Sequence, residues 1–569
     1  MLGGASLATR INDMTELKTF ERKVLRLSEQ DDVAVALVDL KAGERIVLSG
    51  QTYLLPAEVR AKHKFALKRF VPGQEITMYG TVVGQAITEI PLGAAITIEN
   101  TRHQVAQFGR KAKRSSEWIP PDATSSKDLL FEGYRRTDGQ VGTRNCWLVV
   151  PLVFCENNNV LAMRRAFSEE LGDTSTDTYR QYVAELAKAY RTGGAENVRG
   201  RHFSEPHNVS KSARLFPNID GVKFLTHEMG CGGTREDARA LCGLIAGYIC
   251  HPNVAGATIL SLGCQNAEIS ILLEEIKRRN SSFDKSLLVF DQQQSRTESS
   301  MLSAAIKETF LELANANELK RSPARISSLT IGLKCGGSDG FSGISANPVL
   351  GHVSDLVATL GGKTLLSEFP ELCGAEQSLI DRSVSDEVAD KFMGLMKIYA
   401  ERARAVGSGF DMNPSPGNIK DGLITDAMKS AGAARKGGSS PVQDVLDYPE
   451  YVKKGGLSLL CTPGNDVEAV TAQVGGGANL VLFTTGLGTP TGNPITPVVK
   501  ISTNTELAVR MHDIIDFDTG AVIRGEGTIE ETGEKLLKFI LRVASGEVHT
   551  KAELRVQEDF IPWKRGVSL

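Results

Sequence analysis

The residues of this chain best suited to chemistry sit where apolar runs stop. VKFLT (222–226) leads into His227-Glu228-Met229-Gly230-Cys231-Gly232-Gly233, and ATILSL (257–262) into Gly263-Cys264-Gln265-Asn266. LLVF (287–290) meets Asp291 and a run of glutamines, and LTIGLK (329–334) meets Cys335-Gly336-Gly337-Ser338-Asp339-Gly340. KTLLSE (363–368) runs into Phe369-Pro370-Glu371, LSLL (457–460) into CTPGND (461–466), and LVLF (480–483) into TTGLGTPTGN (484–493). Each loop combines a thiol, hydroxyl, amide or carboxylate with a flexible turn. Glycine lets the backbone approach a ligand and present its N–H groups, which suits an anionic substrate. Taken together the loops predict an enzyme active site.

Several chemistries compete for these residues. His227, Asp339, Glu368 and Glu371 are the nitrogen and oxygen donors for a hard or borderline divalent ion. Cys231, Cys264 and Cys335, with Cys461 as a fourth, could instead hold an iron–sulfur cluster, three thiolates leaving one iron open. The plainer reading makes them small buried apolar residues. Residues 336–340 also match the GxSxG nucleophile elbow around Ser338. A serine hydrolase needs a downstream histidine, however, and none of His352, His512 and His549 has a context that singles it out. VGGGANL (474–480) has neither Walker nor dinucleotide spacing, so no nucleotide cofactor is expected.

Positioning such loops requires strands that end together. From residue 131 onward, short apolar runs alternate with helical stretches such as EDARALCGLIAGYI (236–249) and AEISILLEEIKRR (267–279). That pattern predicts parallel sheets covered on both faces, with ligands at the carboxyl ends of the strands. Residues 31–102 read differently, as an all-β module with Gly43/Ile46, Gly73/Ile76 and Gly93/Ile96 in repeated turn-then-strand units. Residues 103–130, with the basic run RKAKR (110–114) and Pro120-Pro121, read as a linker.

At 569 residues the chain exceeds a single core. The expected division is an extension at 1–30, a β module at 31–102, a linker at 103–130, a middle α/β domain at 131–325 and a C-terminal α/β domain at 326–569. A net charge of −3 gives no general reason to bind nucleic acid or an acidic membrane. No apolar run is long enough to span a bilayer, and 1–20 lacks the apolar core of a secretion signal. The nine cysteines are dispersed and without a CxxC pair, which argues for reduced thiols. The cytoplasm is the expected location.

These motifs resemble the altronate/galactarate dehydratase family. AKHKFAL (61–67) and MYGTVVGQA (78–86) resemble its SAF, or β-clip, domain. FEGYRRTDGQVGTRN (131–145), HPNV (251–254), LGCQN (262–266) and CGGSDGFSGISANP (335–348) resemble its later domains. So do SEFPELCGAEQ (367–377), NPSPGN (413–418), TGLGTPTGNP (485–494) and KISTNTEL (500–507). GAEQ, GND (464–466) and KRGVSL (564–569) lean toward the altronate branch, whereas FEGYRRTDGQVGTRN and 527–547 lean toward galactarate dehydratase. Sulfolactate sulfo-lyase is a third relative.

The resemblance implies a β-clip domain, a linker, a middle α/β domain through which two copies pair, and a Rossmann-like C-terminal domain with a metal site. The implied reaction is loss of water from a sugar acid, giving a 2-keto-3-deoxy acid. The implied cofactor is divalent iron, with manganese as the alternative. The assignments that follow are His227, Asp339 and Glu368 around the metal; His63, Cys231 and Ser338 as catalytic groups; and Arg144, Asn145, Asn347 and Lys500 on the substrate. Leu487 stands where these dehydratases usually carry Arg, and Thr491 replaces an aromatic residue. Losing the Arg removes a bidentate carboxylate binder and leaves the choice of sugar acid open. A carbohydrate-binding protein without turnover is the remaining alternative.

Overall fold

The computed structural model describes residues 22–112, 117–171, 178–203 and 214–568. The amino-terminal β module is built from short antiparallel strands. Val24–Leu25, Val33–Ala36 and Lys64–Ala66 form one sheet, with hairpins at Arg45–Leu48/Gln51–Leu54 and Glu75–Met78/Thr81–Ala86. In each repeated unit the isoleucine is core, Ile46, Ile76 and Ile96 all being buried. Gly93 turns with φ +80°, and a Cβ there would lie 2.4 Å from the Leu54 carbonyl oxygen, so the turn admits no side chain. The module starts before residue 31, because Val24 and Leu25 pair with Ala36 and Val35. A two-residue strand is too short to carry a period. Residues 1–21 of the expected extension lie outside the described residues.

The module is not a separate body. Its core residues Val33, Val35, Phe70, Ile76 and Met78 are continuous with Phe341, Ile344, Met428 and Ala431 of the C-terminal domain. Residues 103–112 and 117–129 carry no regular helix or strand, and they are fastened down. The Gly109 and Ala112 N–H groups donate to Gln377 and Asp381, and Trp118 Nε1 donates to Ser439. Lys111, from the basic run, donates to the Ser383 carbonyl. Lys113 and Arg114 lie outside the described residues.

The middle domain centres on a parallel sheet in the order Val222–Phe224, Cys146–Pro151, Val254–Ser261, Ser286–Asp291. Alternation along Cys146–Pro151 sends Trp147 and Val149 to one face and Cys146, Leu148 and Val150 to the other. The second face is covered by the helix Arg235–Cys250, whose far side packs on the C-terminal domain within the same core. Gly247 makes that contact possible, since a Cβ there would sit 2.1 Å from the Gly475 carbonyl oxygen.

In the C-terminal domain seven parallel strands run in the order Val442–Leu446, Gly456–Leu460, Lys363–Leu366, Thr330–Cys335, Leu480–Thr485, Val498–Ser502, Phe517–Asp518. The chain begins this sheet in its middle, fills one side, the edge strand Val442–Leu446 coming before its inner neighbour Gly456–Leu460, and then builds outward on the other. The reversal leaves a crevice beside the carboxyl ends of Thr330–Cys335 and Leu480–Thr485.

Candidate active site

Thr330–Cys335 is buried throughout, so the lysine near its end is an anomaly for a core strand. Lys334 Nζ donates to Glu368 and, at 2.8 Å, to Asp466. Glu368 follows the neighbouring strand Lys363–Leu366 and is held at φ +69°, a left-handed conformation that costs a non-glycine residue about 1–3 kcal/mol. Its backbone N–H is fixed by Thr462 Oγ1 at 2.9 Å, and its carboxylate also meets Lys436 Nζ at 3.2 Å. Glu371, one short turn later, pairs with Lys429 Nζ at 2.9 Å and accepts from Cys335 Sγ at 3.3 Å. Lys436 reaches the same sulfur at 2.6 Å.

Lys429 sits on the helix Asp426–Ala434 and Lys436 in the turn that follows it, two helical turns on. Three lysines, 334, 429 and 436, thus face three carboxylates, 368, 371 and 466, around one thiol. Burial pushes the Glu371 carboxyl up, but Lys429, Lys334 and Lys436 outweigh it and hold the group down at about 2. Burial, aided by Glu371, pushes Glu368 up despite Lys334 and Lys436. Burial also drives the Cys335 thiol up to about 12. Lys429 loses to burial but gains more from Glu371, so it stays an ammonium.

Above this cluster opens a cavity of about 630 Å³. Its polar walls include Cys335, Ser338, Glu371, Asn413, Lys429 and Asp466, with Tyr399, Phe410 and Trp563 as an apolar side. It has the size and polarity for a small polyhydroxylated anion.

The expected metal set does not assemble. His227 Nε2 donates to the Pro151 carbonyl at 2.8 Å and Nδ1 accepts from the Met229 N–H at 3.2 Å, so both ring nitrogens serve the middle domain's loop. Burial holds that imidazole neutral, down to about 4. Asp339 is taken by Lys62 of the β module at 3.0 Å and by Thr503 and Ser342 at 3.1 Å each. Glu368 has Cys335 and Glu371 within ligand distance, but two ammonium groups already occupy its oxygens. A dication there would have to displace them, so the donor set does not fit a resident metal. A second group does. His103, Cys373 and Asp426 converge within 4.8 Å, and His103 Nδ1 and both Asp426 oxygens are buried with no hydrogen-bond partner among the described residues. Nitrogen, sulfur and oxygen donors of this kind suit a borderline divalent ion such as iron.

Other expected residues are placed elsewhere. Arg144 grips Glu553 with two hydrogen bonds of 2.6 and 3.0 Å in a buried tie, with no side left for a substrate. Asn145 joins Asp220, Asn218 and Ala316. Asn347 is buried behind the cavity, between Thr484 and Gly432. Lys500 donates to the Thr491 carbonyl and lies over the Phe483 ring, so it faces protein rather than the cavity. His63 does cross from the β module, but to the Lys420 carbonyl at 3.0 Å, and it is not among the cavity walls. Cys231 lines a separate small cleft. Ser338 does line the cavity; among the described residues no histidine hydrogen-bonds its hydroxyl, so the hydrolase triad has no base. The lysines were missed because lysine is read as solvated by default. Their signal was position: one at the end of an apolar strand, two spaced seven apart on an alanine-rich helix and in the turn that follows it.

Three family models cover nearly all of the described chain. Residues 22–104 match the altronate/galactarate dehydratase SAF domain, 133–317 the D-galactarate dehydratase/altronate hydrolase second domain, and 326–568 the D-galactarate/altronate dehydratase C-terminal domain. Altronate dehydratase of Bacillus subtilis (strain 168) is 33% identical over 96% of this chain and 100% of its own length. Altronate dehydratase of Escherichia coli (strain K12) is 32% identical over 96% and 99%. Galactarate dehydratase (L-threo-forming) of the same strain is 31% identical over 92% and 93%. Matched end to end, with the buried lysine–carboxylate cluster lying inside the C-terminal match, the chain belongs to the altronate/galactarate dehydratase family.

Proposed function

We propose that this protein is a hydro-lyase that removes water from an altronate-like sugar acid, giving a 2-keto-3-deoxy acid. The observation that carries the reading is the largely buried Lys429–Glu371 pair that lines the cavity, backed by the charge-balanced cluster behind it. A proton on C2, beside a carboxylate, has a very high pKa, and hydroxide on C3 is a poor leaving group. Glu371 takes the C2 proton. Its basicity is suppressed while Lys429 neutralises it, and rises when a substrate oxygen draws that ammonium away. Lys429, still protonated at neutral pH, donates to the departing 3-hydroxyl. Lys334 and Lys436 supply fixed positive charge behind both groups, so negative charge developing on the substrate is met without reorganisation. The enol that forms tautomerises to the keto acid.

Divalent iron, or manganese, completes the reading, held by His103, Cys373 and Asp426. Bound there it would add fixed positive charge next to the helix that carries Lys429. Leu487 lines the cavity, and its apolar side chain favours a monocarboxylate over the dicarboxylate that an Arg there would grip. The strand order supports reading the C-terminal domain as a Rossmann-like doubly wound sheet. The free state of all nine cysteines supports a reducing, cytoplasmic setting. Tyr179, Val183 and Tyr190, exposed on one face of the helix Thr178–Arg199, support pairing of two copies through the middle domain. Light scattering would reveal it as a doubled mass.

Anaerobic assay with ferrous iron against altronate, galactarate and sulfolactate is the test. Keto-acid formation from altronate, with galactarate slower, is expected. Turnover of sulfolactate alone, or of none of the three, would overturn the assignment.

A further inference from the structure

A second group of chemistry-bearing residues lies in the middle domain, away from the lysine–carboxylate cluster. Val222–Phe224, Cys146–Pro151 and Val254–Ser261 are adjacent parallel strands, so their carboxyl ends share one sheet edge. A cysteine follows each: Cys155 after the first in chain order, then Cys231, then Cys264. The loops are stitched together next to these cysteines. The Phe154 N–H donates to the Met229 carbonyl at 3.0 Å, and the Asn266 N–H donates to the Gly230 carbonyl at 3.0 Å. Gly230 has φ +99°, and a Cβ there would lie 2.0 Å from the Leu152 carbonyl oxygen. Cys231 is thereby pinned between the turn that carries Cys155 and the loop that carries Cys264. His227, which bridges Pro151 and Met229, is the brace of this arrangement.

The three thiols differ from most of the others. Cys146, Cys242, Cys250, Cys335 and Cys461 are buried, as small apolar residues should be, whereas Cys155 and Cys264 are exposed and Cys231 is half-buried. Packing does not explain three accessible thiols on one edge. Each also precedes the start of a helix, Asn157–Glu170, Arg235–Cys250 or Ile269–Arg279, and the first and last of these have no side-chain cap. Helix amino termini and uncapped backbone N–H groups favour negative charge. A small cleft lined by Glu228, Thr234, Asp237, Asn266 and Lys564 opens beside Cys231.

We infer that Cys155, Cys231 and Cys264 hold an iron–sulfur cluster of the four-iron type, each thiolate on a different iron and the fourth iron without a protein ligand. Spacing favours a cluster over one ion. A tetrahedral zinc with Zn–S of about 2.3 Å brings its thiolates to about 3.8 Å of one another. These three are not among the groups of the described residues whose donor atoms all lie within 4.8 Å, yet the Phe154–Met229 and Asn266–Gly230 hydrogen bonds hold their loops side by side. Cluster thiolates stand further apart because each binds its own iron. The sequence expectation grouped Cys231 and Cys264 with Cys335. Cys335 belongs to the other sheet, and Cys155 was overlooked because it lies in a turn rather than directly at a strand end.

The full chain, purified anaerobically and reconstituted with ferrous iron and sulfide, provides the test. About four acid-labile sulfides per chain are expected, with about four irons beyond the one at His103, Cys373 and Asp426, and a broad visible sulfide-to-iron absorption band. Cys155→Ser, Cys231→Ser and Cys264→Ser should each lose the sulfide and the band, while Cys250→Ala keeps both. Thiol alkylation followed by peptide mapping should label the three cysteines in the cluster-free chain and spare them after reconstitution, which decides the matter even if a serine variant folds poorly. Iron without labile sulfide, zinc bound in place of iron, or a cluster that survives all three serine substitutions would overturn the inference.

Discussion

Lys429 stands at the point where the buried charge cluster meets solvent, bonded to Glu371 on one side and to Asn413 on the other. Replacing it with methionine keeps most of the volume and removes the proton donor. Lys429→Met is expected to lower kcat by about a hundred- to ten-thousand-fold, with KM changed far less, as steady-state kinetics on altronate would show. Asp426, one turn earlier on the same helix, carries a different expectation. Both of its oxygens are buried and unpartnered, so a cation is the partner that balances them. Asp426→Asn should remove about one iron per chain, measured by elemental analysis against labile sulfide, while leaving the fold intact. At this scale the sequence was half legible. Glu368 and Glu371 announced themselves as carboxylates at a strand end. Of their lysine partners, Lys334 comes from the neighbouring strand, and Lys429 and Lys436 from a helix and the turn after it, and no spacing rule links them to the carboxylates.

Elements explain why predicted positions and observed contacts part company. The sequence disclosed which runs are strands and that their loops face one way, because fully buried parallel strands read as continuous apolar runs. It also divided them between two α/β domains, but it did not disclose which strand ends meet at one site. His227 therefore was grouped with Asp339 and Glu368, although its strand belongs to the middle sheet and theirs to the C-terminal one. The two sheets are joined through the helix Arg235–Cys250, where Gly247 meets Gly475. Gly247→Ala would force a methyl group against a carbonyl and should cost about 1–3 kcal/mol in denaturant unfolding. Wild-type stability in that variant would mean the two domains are not clamped at this crossing.

Across the whole molecule, the three domains share cores rather than merely touching, and buried neutral histidines lie at the seams. His251 donates from Nε2 to the Ala478 carbonyl at 2.9 Å and accepts from the Asn253 N–H at 3.0 Å, tying the middle domain to the last. Burial lowers its imidazole to about 3, the Ala478 carbonyl opposing only in part. The unfolded chain, with a histidine near 6.5, then binds the proton first as pH falls. The contribution of His251 is present above about pH 6.5 and is lost progressively toward pH 3. Melting curves from pH 7 to 4 should therefore fall less steeply for His251→Asn than for the wild type. The β module was readable because its short strands and repeated turns differ from the longer alternating pattern after residue 131. The shared cores were not, since contact between distant segments leaves no local period. The claim on which the rest depends is that Glu371 removes the proton from C2 of the sugar acid. Its most direct test is anaerobic turnover of altronate by Glu371→Gln, with wild-type folding confirmed by melting. A fall in kcat of about a hundredfold or more is predicted; a rate equal to wild type would contradict it.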